Sequence, residues 1–82
     1  MSEDENNEFS VWLFFPDPPG GYFAEARWIN AEEAVKLAKE CTERPAAKLG
    51  MIAKIIITDA ADCTCFEWLA GKGVVYPIVA PP

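Results

Sequence analysis

Only one long stretch of this chain, Asn30 to Pro45, carries a helical period, and every other apolar run alternates or is β-branched. That constrains the fold more than any other feature. Small or apolar residues fall at Ala31, Ala34, Val35, Ala38, Cys41 and Thr42, a three-and-four spacing that gathers them on one face. Asn30 is a good N-cap with Glu33 three places on, as in a capping box. Pro45 drives the residue before it out of helical geometry, so the helix stops near Glu43 or Arg44. Its stripe is narrow and made of small side chains. Such a helix lies close against a sheet but buries little by itself, so the rest of the chain has to supply that sheet.

Phe9 to Phe15 alternates, with Phe9, Val11, Leu13 and Phe15 on one face and Ser10, Trp12 and Phe14 on the other. The breaker Pro16–Gly21 (PDPPGG) reads as a hairpin loop longer than two residues. On strict alternation the return strand, Tyr22 to Ile29, places Tyr22, Ala24, Ala26 and Trp28 on one side. Phe23, Glu25, Arg27 and Ile29 then take the other. After the helix, a short turn over Ala46–Gly50 precedes the β-branched run Met51 to Thr58, with Ala53, Ile55 and Ile57 opposite Ile52, Lys54, Ile56 and Thr58. Asp59–Asp62 makes a tight connection. Cys63 to Ala70 follows as a strand with Phe66 and Trp68 buried and Cys63, Cys65 and Glu67 opposite. The turn Ala70–Gly73 leads to a last strand, Val74 to Val79, which Pro77 confines to a sheet edge. The expected fold is α+β, ββαβββ: a five-stranded antiparallel sheet in order 2-1-3-4-5, with the helix on one face.

A chain of 82 residues makes one small domain whose core is marginal, and 51% apolar residues argue for a folded globule. The expected organisation is a flexible acidic tail over 1–8 and one compact domain over 9–80. Glu3, Asp4, Glu5 and Glu8 supply much of the formal charge of -6. Nine acids and seven bases remain for the body, which is therefore only slightly negative. That balance argues against direct nucleic-acid binding, whose affinity comes from basic residues on phosphates. No run approaches the ~20 apolar residues of a membrane helix. The acidic N-terminus does not read as a secretory signal, and three cysteines do not form a disulfide framework. A cytoplasmic setting without membrane attachment is expected.

Little chemistry is on offer. Histidine is absent, which removes the Ser-His and Cys-His nucleophile pairs and the usual proton shuttle near neutrality. Cys63 and Cys65 project to one side of a strand, yet the third thiol belongs to the helix stripe and no imidazole completes a zinc set. Their expected role is that of small hydrophobes. Asp59 and Asp62 flank a turn without a calcium-type loop. Gly71-Lys72-Gly73 lacks the length and the following helix of a phosphate loop. No enzyme activity, cofactor or metal is expected.

What remains is the sheet face away from the helix. The expected contact residues there are Trp12, Phe14, Phe23, Arg27, Ile29, Ile52, Lys54 and Ile56, with Glu25 and Glu67 among them. Large apolar side chains beside arginine have the composition of binding hot spots. The expected function is a small non-enzymatic interaction domain binding a protein partner, or a second copy of itself, through that face. The alternative is a small acidic inhibitor or nucleic-acid mimic, of the anti-CRISPR type that phages and mobile elements encode, blocking a nucleic-acid-handling complex.

Overall fold

The computed structural model describes residues 7–76. Residues 1–6 of the acidic lead-in, and the end of the last strand beyond Tyr76, lie outside the described residues. The elements run β1 (Phe9–Phe14), β2 (Tyr22–Ile29), α1 (Ala31–Glu43), α2 (Pro45–Lys48), β3 (Lys54–Thr58), β4 (Thr64–Leu69) and β5 (Gly73–Tyr76). They form one antiparallel sheet in order β2-β1-β3-β4-β5, with α1 packed on it, as the residue pattern predicts.

The Asn30 side chain accepts the Glu33 N–H at 2.8 Å and starts α1. Arg44 leaves helical geometry before Pro45, which opens the single turn of α2. Ala34, Ala38 and Cys41 are fully buried, while Val35 at the stripe's margin stays largely exposed. Beneath them lie Val11, Leu13, Ile55 and Ile57, also buried, with Phe9, Phe15, Phe66 and Trp68 packed around the edge of the same core. The small stripe explains the arrangement, because alanines let the helix axis approach the sheet and put the branched strand residues in direct contact with it.

Three placements differ from strict alternation, and each has a local cause. In β2 the register pairs Phe14 with Tyr22 and Leu13 with Phe23, so Phe23 shares the helix-bearing face and Tyr22 the other. Register shifts then fall between Val11 and Trp12, opposite Glu25, and between Phe9 and Val11, opposite Arg27 and Trp28. Each inserts an extra residue in β2. Trp28 takes φ 61 there and stands 53% exposed, whereas Ile29 swings in against the core. In the run before β3, pairing begins only at Lys54. Ile52 therefore precedes the strand and drops into the core at 3% exposure. In β4 the shift between Ile57 and Thr58 makes Cys65 the extra residue.

The ion pairs do not follow the four-residue spacing of charges along α1. Arg44 does not pair with Glu40 one helical turn back. It reaches the sheet, where its Nη2 donates to Glu25 Oε2 at 2.8 Å. Glu25 thereby belongs to the helix-bearing side. Glu32 and Lys36 make no ion pair among the described residues, and the second pair present is Lys48 with Glu43 at 3.7 Å.

Candidate interaction surface

The face away from α1 is built on β1 and β3, whose alternation is regular. Trp12 and Phe14 point out from β1, and Lys54, Ile56 and Thr58 from β3. The Trp12 indole N–H donates to Thr58 Oγ1 at 2.9 Å and pins the ring across the strand pair. Tyr22 stacks on Phe14 with ring centres 5.2 Å apart and meets Trp12 edge-on at 5.8 Å. The Arg27 guanidinium stands between two indoles, 5.1 Å from Trp12 and 4.9 Å from Trp28, and the Lys54 ammonium lies 4.6 Å from Phe14.

These contacts join into one unbroken row: Trp28, Arg27, Trp12, Tyr22, Phe14, Lys54. Cations sit where the negative ring faces attract them, and the rings meet edge-to-face or offset as their quadrupoles prefer. Each link contributes about 0.5–1 kcal/mol at an exposed site. The greater consequence is continuity: each of the four aromatic side chains on this outward surface touches a neighbour in the row. A concavity of about 380 Å³ opens between Trp12, Phe14, Tyr22, Ile56, Thr58 and Asp62.

Of the residues expected here, the structure brings Trp12, Phe14, Arg27, Lys54 and Ile56 together. Phe23 instead stacks on Phe15 at 5.5 Å beside the core, and Ile29 and Ile52 pack into it. Tyr22, Thr58 and Tyr76 were missing from the expected set. Tyr76 pairs with Glu67 across β4 and β5 and is 47% exposed. No protein-family model matches this chain, nor does any curated protein or solved structure.

Cys41 and Cys65 sit away from this face. Cys41 is buried in the helix stripe, where burial pushes its pKa above the ordinary 9.0; Glu25 and Glu40 push the same way and Arg44 opposes them. Burial also raises Cys65, followed by the nearby Asp59, Cys63 and Glu8. A thiol held protonated is a poor nucleophile and a poor metal ligand. Among the described residues no three acids or cysteines gather as a metal site.

The Cys41 shift has a consequence for stability. Above pH 9 the unfolded thiol releases its proton while the folded one keeps it, so the unfolded state gains and stability falls as pH rises. The slope this group adds is at most about 1.4 kcal/mol per pH unit. Urea unfolding between pH 8 and 10 is expected to show a flatter alkaline decline in Cys41→Ala than in the parent, after subtraction of their offset at pH 8. Parallel declines would show that the thiol ionises equally in both states.

Proposed function

We propose that this chain is a non-catalytic protein-binding domain that uses the helix-free sheet face as its contact surface, and that a second copy of the chain occupies it. The carrying observation is the unbroken row from Trp28 to Lys54, a preordered aromatic surface that gives up little side-chain entropy on docking.

Charge favours the second copy as occupant. The chain is acidic, but this face balances Arg27 and Lys54 against Glu67 and Asp62. The cations stand on β2 and β3, and the carboxylates on β4 and the turn before it. A twofold axis along β3 lays the β2–β1 half of one copy on the β4–β5 half of the other and turns Arg27 toward the second copy's carboxylates, as a self-complementary interface requires, while Lys54, on the axial strand, meets its own copy. Area is consistent with a weak dimer. Five strands at ~4.8 Å spacing and six residues long give a flat footprint of about 480 Å² per copy. The pair buries about 1,000 Å², the lower bound for a specific interface. The edge at β2 carries two bulges that disrupt edge-to-edge pairing there.

Sedimentation equilibrium is expected to give a monomer–dimer Kd of about 10 µM. Trp12→Ser with Phe14→Ser should weaken association at least tenfold, and so should Glu67→Lys, which leaves Asp62 against three cations on this face. Thermal melts of the same samples check that each variant is folded. Parent protein that remains monomeric at about 200 µM would end the self-docking reading.

A further inference from the structure

Among the described residues, the face that bears α1 is itself only partly covered. The helix lies over β3, β1 and β2 and reaches neither β4 nor β5. On that open strip Phe66 and Trp68 are half-buried and Val74, opposite Trp68, is 54% exposed. The side of α1 turned toward it presents Ala31, Val35 and Lys39 at four-residue spacing, and Val35 is 43% exposed. At the head of the strip an apolar cavity of about 270 Å³ opens among Phe9, Ala31, Ala34, Val35, Cys65 and Phe66.

The dimensions select an occupant. Two strands are about 10 Å wide, which is the diameter of one helix, and two helices side by side on a sheet pack at 8–10 Å. Small residues on the α1 flank permit that approach. Charge then selects a direction. Lys39 and Lys72 stand toward the β4–β5 turn and make no ion pair among the described residues. Asp59 and Glu8 lie at the other end, close enough to Cys65 to influence its proton. Helices ordinarily carry acids in their first turn and bases in their last, to complement the macrodipole.

We propose that this strip seats one amphipathic helix of a partner protein, laid antiparallel to α1, with its acidic first turn at Lys39 and Lys72 and its basic last turn at Asp59 and Glu8. The site is distinct from the self-docking face and does not depend on it. An apolar anchor near the helix C-terminus fills the cavity beside Cys65, in the helix-in-groove manner.

The test uses two lactam-stapled helical peptides of about 14 residues, long enough to span β4. Both have the same composition and the same leucine stripe; one has an acidic start and a basic end, and the other has these reversed. Amide NMR shifts in the full chain are expected at Val35, Cys65, Trp68 and Val74 with the first peptide. Affinity for the reversed peptide should be at least fivefold weaker. Val74→Glu should abolish the shifts, and Trp12→Ser should leave them unchanged. Three results would overturn the proposal: no shifts with either peptide, equal affinities, or shifts confined to the Trp12–Tyr22 face. Dissociation of the dimer by Val74→Glu would also overturn it, by assigning the strip to the second copy.

Discussion

Ile55→Ala is expected to cost this domain about 2–5 kcal/mol and lower its Tm by at least about 10 °C. Ile55 is fully buried, sits between Leu13 and Trp68 in the register, and belongs to the cluster under the helix. A chain of this size has about 4–12 kcal/mol of stability in total, so one side chain decides a large fraction of it. No polar group is uncovered, and the loss comes from lost transfer energy and the cavity left behind. The neighbouring Ile56→Ala is the control. Ile56 faces the other way and is half-exposed, so its truncation should cost no more than about 1.5 kcal/mol. Urea unfolding of the two variants measures the layering directly. Equal losses would mean that the two faces are equally covered and that the helix-free face is not free.

The fold was legible because its punctuation is unambiguous. Asn30 and Pro45 bracket the helix, Pro16–Gly21 forces a hairpin, and the run ending at Thr58 is too β-branched to be anything but a strand. The helix crosses β1 to bring β3 beside it, and the remaining short connections allow only neighbouring pairings. Within β1 and β4, alternation also placed Val11, Leu13, Phe66 and Trp68 on the helix-bearing face and Trp12 and Phe14 on the other.

The faces of β2 were not legible, and the reason is parity. Phe15 donates to the Gly21 carbonyl at 2.9 Å, so the first ladder pair is Phe14 with Tyr22, not Phe15 with Tyr22. A proline- and glycine-rich loop does not specify its ends to one residue, and one residue exchanges the two faces. Phe23 was misplaced for this reason, and the same error hid Tyr22. Ile29 was misplaced by the same parity, with the bulges then setting its partner. The second bulge is invisible in sequence because a tryptophan, not a glycine or asparagine, takes the positive φ. The end of the helix at Arg44 was legible from Pro45, but the Glu25 partner of Arg44 was not, because it depends on which way β2 faces. Ile52 is a matter of where pairing starts, and an unbroken apolar run marks no such point.

The helix stripe yields the second large effect. Ala38→Leu is expected to lose about 1–3 kcal/mol, and Ala34→Leu, one turn earlier, to lose much less or to gain. Both alanines are fully buried, and both substitutions add the same atoms to the same helix. Helix propensity barely distinguishes alanine from leucine and cannot separate them. The difference is the space each side chain meets. Ala34 borders the apolar cavity of about 270 Å³, whereas Ala38 is not among the walls of that cavity and faces the close-packed strands. Leucine at 38 has to displace those strands or lift the helix; leucine at 34 grows into space already lined by Phe9 and Phe66. Thermal unfolding should therefore place Ala38→Leu about 4–20 °C below the parent and Ala34→Leu near or above it. The leucine at 34 should also exclude the stapled peptide from the strip, since it fills the pocket that the helix anchor needs. A pair of variants with equal melting points would show that the helix rests on the sheet with uniform slack. The small residues of its stripe would then reflect helix propensity alone, with no role in how closely the two layers approach.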